Sequence, residues 1–164
     1  MKVEFDSFKH CLQPRPNVLV SCRNNKGENN ALAVAYACNC SYHDPPMVMV
    51  GIVPNRYSYH MIKESGVFVV NLVPKEREDD YYYLGSHSGR NEDKLKKLKL
   101  NIKDGKKVNA PLLTDFPVNI ECEVVDSIHP GSHEMFAGKV VQIHVDEKYV
   151  DENGNPQLNK INYL

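Results

Sequence analysis

The sequence has no tryptophan, no long apolar run and no marked excess of either charge. Its longest uninterrupted apolar stretch, Met47 to Val53, falls far short of the roughly 18 residues that span a bilayer, so no membrane partner is expected. Lys and Arg number 20 against 21 Asp and Glu, leaving a formal charge of −1. That balance, together with the missing tryptophan, argues against a nucleic-acid-binding barrel, which needs a basic, aromatic-studded face. Cysteine is scarce: Cys11, Cys22, Cys38, Cys40 and Cys122 are odd in number and irregularly spaced. Such thiols do not make a disulfide framework and suit a reducing compartment. The N-terminal Met-Lys-Val-Glu-Phe-Asp carries acids and lacks the apolar core of an export signal, so a cytoplasmic location is expected. Glycine-rich phosphate loops, nucleophile elbows and His-Glu-x-x-His motifs are missing, as are internal repeats and low-complexity tracts.

What is present is ordinary globular composition: 164 residues, 41% hydrophobic and 25% charged. That length suits a single domain over residues 1–164 with one sizeable core. Asn17-Val-Leu-Val-Ser-Cys22 predicts a strand that stops at the turn-rich Asn24-Asn-Lys-Gly-Glu-Asn-Asn30. Met47 to Val53, after Pro45-Pro46, and Val67 to Val73 predict two more. Val118, Ile120, Cys122 and Val124 alternate with Asn119, Glu121 and Glu123, the period of a half-buried strand. Beyond the turn signal Pro130-Gly-Ser132, Met135 to Val145 predicts its antiparallel partner. Short helices interrupt the strands. Asn55 is placed to cap a helix from Arg56 to Glu64 that ends at Gly66. Lys75 to Leu84 suits a helix, although Tyr81-Tyr82-Tyr83 also suits a strand. A third helix is expected after Asn91, with Glu92 and Asp93 in its first turn. Strand-rich domains of this size close as barrels or stack as sandwiches.

Ala31-Leu-Ala-Val-Ala-Tyr-Ala-Cys-Asn-Cys40 suits a helix by its alanine content, but the flanking turn residues and the lack of a clean helical stripe favour a strand with unequal faces. One carries Leu32, Val34, Tyr36, Cys38 and Cys40; the other carries only Ala31, Ala33, Ala35 and Ala37. A face that small lets a flat group approach the backbone, or else packs tightly against a helix or a second subunit. Cys38 and Cys40 share a side, but a zinc site needs four ligands and no second pair stands nearby, so they are expected as buried small hydrophobes and no metal is expected.

Two segments have the chemistry of an anion site. In Pro54-Asn-Arg-Tyr-Ser58, a helix starting at Arg56 leaves the N–H groups of Tyr57 and Ser58 free at its N-terminus. The Arg56 fork and the Ser58 hydroxyl then suit a terminal phosphate; a structural arginine beside a capped helix is the plainer alternative. In Ser86-His-Ser-Gly-Arg-Asn-Glu-Asp-Lys94, a Ser-Gly turn leads to another helix start with Lys94 in its first turn. Lys96, Lys97 and Lys99 are expected to be a solvated face.

These segments, in this order, resemble the flavin reductase-like, FMN-binding split-barrel family, and within it the flavoredoxin type. The resemblance rests on Asn30 to Tyr36, Asp44-Pro-Pro-Met-Val48, Arg56-Tyr-Ser-Tyr59 with Ile62-Lys-Glu-Ser-Gly66, Phe68-Val-Val-Asn-Leu72, Ser88-Gly-Arg-Asn-Glu-Asp-Lys94 and Gly131-Ser-His-Glu-Met-Phe-Ala-Gly138. It implies a mainly β fold: a six-stranded antiparallel split barrel with Greek-key connections and a few short α-helices. It implies FMN as cofactor and a homodimer with the flavin near the subunit interface. Ala35, Tyr36, Ala37, Cys38 and Asn39 match the strand along the flavin ring. Arg56, Tyr57, Ser58, Ser88, Gly89 and Lys94 match the phosphate side. His133 matches a loop position that approaches the flavin or the nicotinamide donor, and is the candidate catalytic residue. The stretch from Asn30 to Asp44 is one residue longer than the family pattern, a cysteine common near His87 is missing, and the chain ends at Leu164 before the glycine-rich, aromatic tail of many relatives. The expected activity is that of a flavoprotein oxidoreductase using NAD(P)H. The alternative is an FMN-bound electron carrier that exchanges electrons with a redox protein and has no NAD(P)H activity of its own.

Overall fold

The structure, a computed structural model, describes residues 1–6 and 11–164. In chain order it contains β1 (Val18–Arg23), β2 (Asn29–Val34), β3 (Ala37–Ser41), β4 (Met47–Ile52), α1 (Tyr57–Ser65), β5 (Val67–Leu72), α2 (Glu78–Ser86), α3 (Lys94–Lys97), β6 (Ile102–Asp104), β7 (Pro111–Leu113), β8 (Val118–Ile128) and β9 (Glu134–Val145). Among the described residues, no helix is long and apolar enough to cross a membrane.

Seven strands form one antiparallel sheet in the order β2-β1-β5-β8-β9-β4-β3, and β6 and β7 form a separate pair. The two edge strands, β2 and β3, are neighbours in sequence, separated only by Ala35 and Tyr36. The sheet therefore curls until the chain itself bridges its edges, without a ladder closing the gap. The expected strand count of six becomes seven for this reason. Val34 pairs with Val18 at one edge, whereas Ala37 pairs with Val50 at the other. One straight strand from Ala31 to Cys40 cannot serve both edges, so it breaks at Ala35-Tyr36. The Gly51 N–H donates to the Tyr36 carbonyl at 2.7 Å and fixes the crossing against β4. A bulge between Asn39 and Ser41 leaves Cys40 unpaired, the natural place for one surplus residue in this stretch.

Burial explains why β1 reads as a continuous apolar run. Val18, Val20 and Cys22 point into the curl with Val34, Val50, Ile52, Ile62, Phe68 and Phe136. Leu19 points outward under the helices, into a second cluster with Ala31, Leu84, Leu95 and Phe116. Fully burying side chains such as Phe68 or Leu19 stabilises the fold by roughly 1.5–3 kcal/mol each. The small alanine face divides along its length. Ala31 and Ala33 receive α2, and a Cβ added to Gly85 would stand 2.9 Å from the Ala33 Cβ. Ala35 remains half-buried and lines the next groove, whereas Ala37, beyond the break, packs against the inner core.

Three expectations need correction. Cys38 and Cys40 are exposed, because β3 is a sheet edge. Asn119 and Glu121, on the polar side of β8, are buried because the 105–113 segment covers them. There the N–H groups of Lys106, Lys107 and Val108 donate to the Glu121 carboxylate, which His144 Nε2 meets at 2.6 Å. Asn55 caps nothing: α1 starts one residue later, with Arg56 at the cap position and no side-chain cap bond. Its other end is as expected, with Gly66 in the left-handed region at φ 69° and its N–H bonded to the Ile62 carbonyl. The Lys75–Leu84 segment resolves as a 3-10 turn running into α2, whose first turn holds Glu78, Asp79 and Asp80.

Candidate functional site

A cleft of about 250 Å³ opens where the N-terminus of α1, strand β2 and the turn after α2 meet. Arg56, Arg90 and Lys94 line it, and among the described residues no Asp or Glu does. Neither arginine has an ion-pair partner among the described residues; Arg90 lies over the Tyr57 ring at 5.6 Å. With no side-chain cap on α1, the N–H groups of Tyr57 and Ser58 remain as donors at its positive end. Ser58 is buried at 1% exposure, and its Oγ accepts from Asn30 Nδ2 at 2.8 Å. Gly89 crosses against this pair so closely that a Cβ would meet Asn30 Oδ1 at 2.6 Å and the Tyr57 ring at 2.8 Å.

Lys94 reaches the cleft in an unexpected way. It is 3% exposed, and its Nζ donates to the carbonyls of Ala31 at 2.7 Å and Leu84 at 2.8 Å. One of three N–H groups is left for the cleft it lines. Burial, aided by the nearby Arg56, pushes its pKa down to about 8. The start of α3 is no anion site: the Asp93 side chain accepts from the Lys96 N–H at 3.0 Å, and the helix is only four residues long.

Arg56, Leu32 and Ala33 also line a neighbouring groove of about 240 Å³, which adds Ala35, Tyr36, Gly51 and His133. The His133 and Tyr36 rings stand 4.5 Å apart at 52°. Burial and then the Arg56 charge lower the His133 pKa, which favours a neutral imidazole. A Cβ on Gly51 would stand 2.6 Å from Met135 Sδ and 3.0 Å from the Tyr36 Cβ, so Gly51 lets the Met135 and Tyr36 side chains pack over β4 beside the groove. Past Tyr36 a third, mainly apolar groove of about 470 Å³ is lined by Leu12, Pro14, Ala37, Cys38 and Met135.

The structure thus gathers Arg56, Tyr57, Ser58, Ser88, Gly89 and Lys94 around one cleft, and Ala35, Tyr36 and His133 around the next groove. Ala37 and Cys38 lie one groove further on, and the exposed Asn39 lines none of the three. Asn30 and Arg90 were not among the sequence candidates. Both stand inside the motifs that carry the resemblance, and an arginine directly after a Ser-Gly turn is the signal that could have found the second.

Residues 11–159 match the model of the flavin reductase-like domain. The chain belongs to the flavin reductase-like family. An uncharacterized protein of Archaeoglobus fulgidus is 35% identical over 115 residues, a match covering 70% of this chain and 64% of that protein, so the chain spans less than two thirds of that relative. Among solved structures, the flavoredoxin of Desulfovibrio vulgaris (Miyazaki F) superposes with a TM-score of 0.89 at 31% identity, covering 98% of this chain and 85% of that one. An FMN-binding protein from Thermus thermophilus superposes at 0.78 with 27% identity, covering 95% and 84%. Membership of the flavin reductase-like family and these likenesses support a flavin-binding redox function.

Proposed function

We propose that this protein binds FMN along the cleft and its adjoining groove and acts as an oxidoreductase that takes a hydride from NAD(P)H and passes electrons to a free flavin or a redox protein. The observation that carries the proposal is the continuity of two unlike spaces through Arg56: a cationic, acid-free cleft on one side and a flat groove walled by Tyr36 and His133 on the other. The residues present fit FMN. Arg56, Arg90, Lys94 and the α1 N–H groups suit its phosphate dianion, and the small residues Ala33, Ala35 and Gly51 in the groove lining suit the approach of a planar ring. Bound FMN would supply the hydride and electron chemistry. The protein's own part is to hold the dianion, keep the ring's approach open and present the His133 imidazole, neutral near pH 7, as a hydrogen-bonding group at the groove wall.

An electron carrier without NAD(P)H activity is the second reading, favoured by the likeness to the D. vulgaris flavoredoxin. Anaerobic mixing of FMN-loaded protein with NADPH or NADH separates the two. Bleaching of the flavin's visible absorbance by either nucleotide is expected; a flavin that stays oxidised with both leaves only the carrier. Protein that remains colourless after incubation with FMN and desalting overturns both. The working unit is taken to be a homodimer, in which a second copy would cover the open edge strand β3 with its exposed Cys38 and Cys40. A monomer mass by light scattering at micromolar concentration contradicts that.

A further inference from the structure

Glu134, the first residue of β9, lies next to His133 in sequence and pairs with Ile52 in the ladder. It is 5% exposed. Its Oε2 accepts from the Tyr59 hydroxyl at 2.5 Å; its Oε1 accepts from the Ser127 hydroxyl at 2.6 Å and from the Lys63 ammonium. Tyr59 and Lys63 stand one turn apart on α1, the helix whose first turn borders the cationic cleft. Phe136 fills the space beneath them, 5.7 Å from the Tyr59 ring and 5.6 Å from the Lys63 ammonium. Three donors from two elements therefore converge on one carboxylate at the point where the hairpin loop re-enters the sheet.

An apolar residue could fill this position and often stabilises more than a buried ion pair does, because the pair must repay its desolvation. What a carboxylate with three directed donors adds is a single geometry. His133 is the last loop residue before β9, one peptide bond from Glu134, so fixing the Glu134 side chain against α1 fixes the strand entry from which His133 emerges. We propose that Glu134 is a positioning residue, tying the second turn of α1 to the start of β9 and thereby setting the His133 ring against Tyr36. One carboxylate then links the helix at the phosphate end of the site to the imidazole at the ring end. The functional weight of this tie rests on the FMN reading above; the placement of His133 does not.

The three hydrogen bonds, from Lys63, Ser127 and Tyr59, also hold the Glu134 carboxyl well below its usual range, at about 2. It therefore stays ionised across the range in which His133 titrates.

The test is an NMR titration of His133 in full-length, FMN-free protein, with the resonance assigned through His133→Gln. In Glu134→Gln the His133 midpoint is expected to rise toward the ordinary histidine value as the ring loses its burial, and the Tyr36–His133 cross-relaxation is expected to fall at least about twofold. Tyr59→Phe and Ser127→Ala each remove one donor and are expected to give smaller shifts in the same direction; they carry the test if Glu134→Gln does not fold. Val69→Ala, in a separate apolar cluster, lowers the melting temperature and should leave the His133 midpoint in place. An unchanged midpoint and cross-relaxation in folded Glu134→Gln overturns the proposal. So does an equal shift in Val69→Ala, which would mark a general loosening. Because no flavin is present, a failure to bind FMN leaves this experiment intact and counts only against the functional reading.

Discussion

The starts of α1 and α3 look alike in sequence, each a helix N-terminus with a basic residue and hydroxyl or small residues around it. The structure uses them in opposite ways. At α1 the cap position is Arg56, no side chain closes the first turn, and the free N–H groups open on a cleft that no acid lines among the described residues. At α3 the Asp93 carboxylate takes up the first-turn donor, and Lys94 folds back to bind two main-chain carbonyls. A helix start becomes an anion site when its donors are left unmet, and a good cap removes it. Lys94 still reaches the cleft, as a brace under its floor with one N–H to spare.

The largest effect expected from breaking this contrast is at Arg56. Arg56→Ala should weaken FMN binding about 10- to 100-fold, from the ~1.5–3 kcal/mol of a charged hydrogen bond, while riboflavin binding changes little. Fluorescence titrations with both ligands check this, and equal losses would remove Arg56 from the phosphate. Gly89→Ala should come next. A methyl group against Asn30 and Tyr57 should lower stability by about 1–3 kcal/mol and weaken FMN binding too, which denaturant melts with and without FMN would detect. Asp93→Ala should cost about 1 kcal/mol as a lost cap and leave FMN affinity unchanged; a fall in affinity would restore α3 as part of the anion site.

The subtlest expectation concerns protons. Burial holds the folded-state pKa of Lys94 near 8, against 10.5 for a free lysine. Between those values the unfolded chain keeps a proton that the folded chain has released, so this group's contribution to stability rises with pH from about 8 to 10.5. A phosphate in the cleft favours the ammonium, so FMN binding near pH 8–9 should take up a fraction of a proton and weaken as pH rises. Calorimetry in buffers of different ionisation enthalpy measures this uptake. Lys94→Met should abolish it, and uptake that survives the substitution belongs to another group.

Much of the sheet was legible because its strands satisfy local rules. The runs at 17–22, 47–53 and 67–73 and the alternation after Val118 became β1, β4, β5 and β8 within a residue or two at their starts. The features that were missed depend on distant parts of the chain. Nothing local breaks a strand at Ala35-Tyr36; the break comes from pairing with Val18 on one side and Val50 on the other. Glu121 looks solvent-facing until the 105–113 segment folds over it, and Cys38 and Cys40 look buried until β3 proves to be an edge. Of the site, residues at a turn or a helix start could be picked out one by one. The acid-free lining of the cleft could not, because it is a property of three separated segments together.

The two-residue crossing from β2 to β3 has a mechanical consequence. Because one short covalent link joins both rims of the curled sheet, Val34 and Ala37 can stand no further apart than about 11 Å, three Cα steps of 3.8 Å. The width of the opening beside Tyr36 is therefore capped by chain length, whatever the side chains there. Substitutions at Ala35 or Tyr36 can retune what the opening touches, but only an insertion can raise that cap, which makes these two positions a strap of fixed length on an otherwise deformable seam.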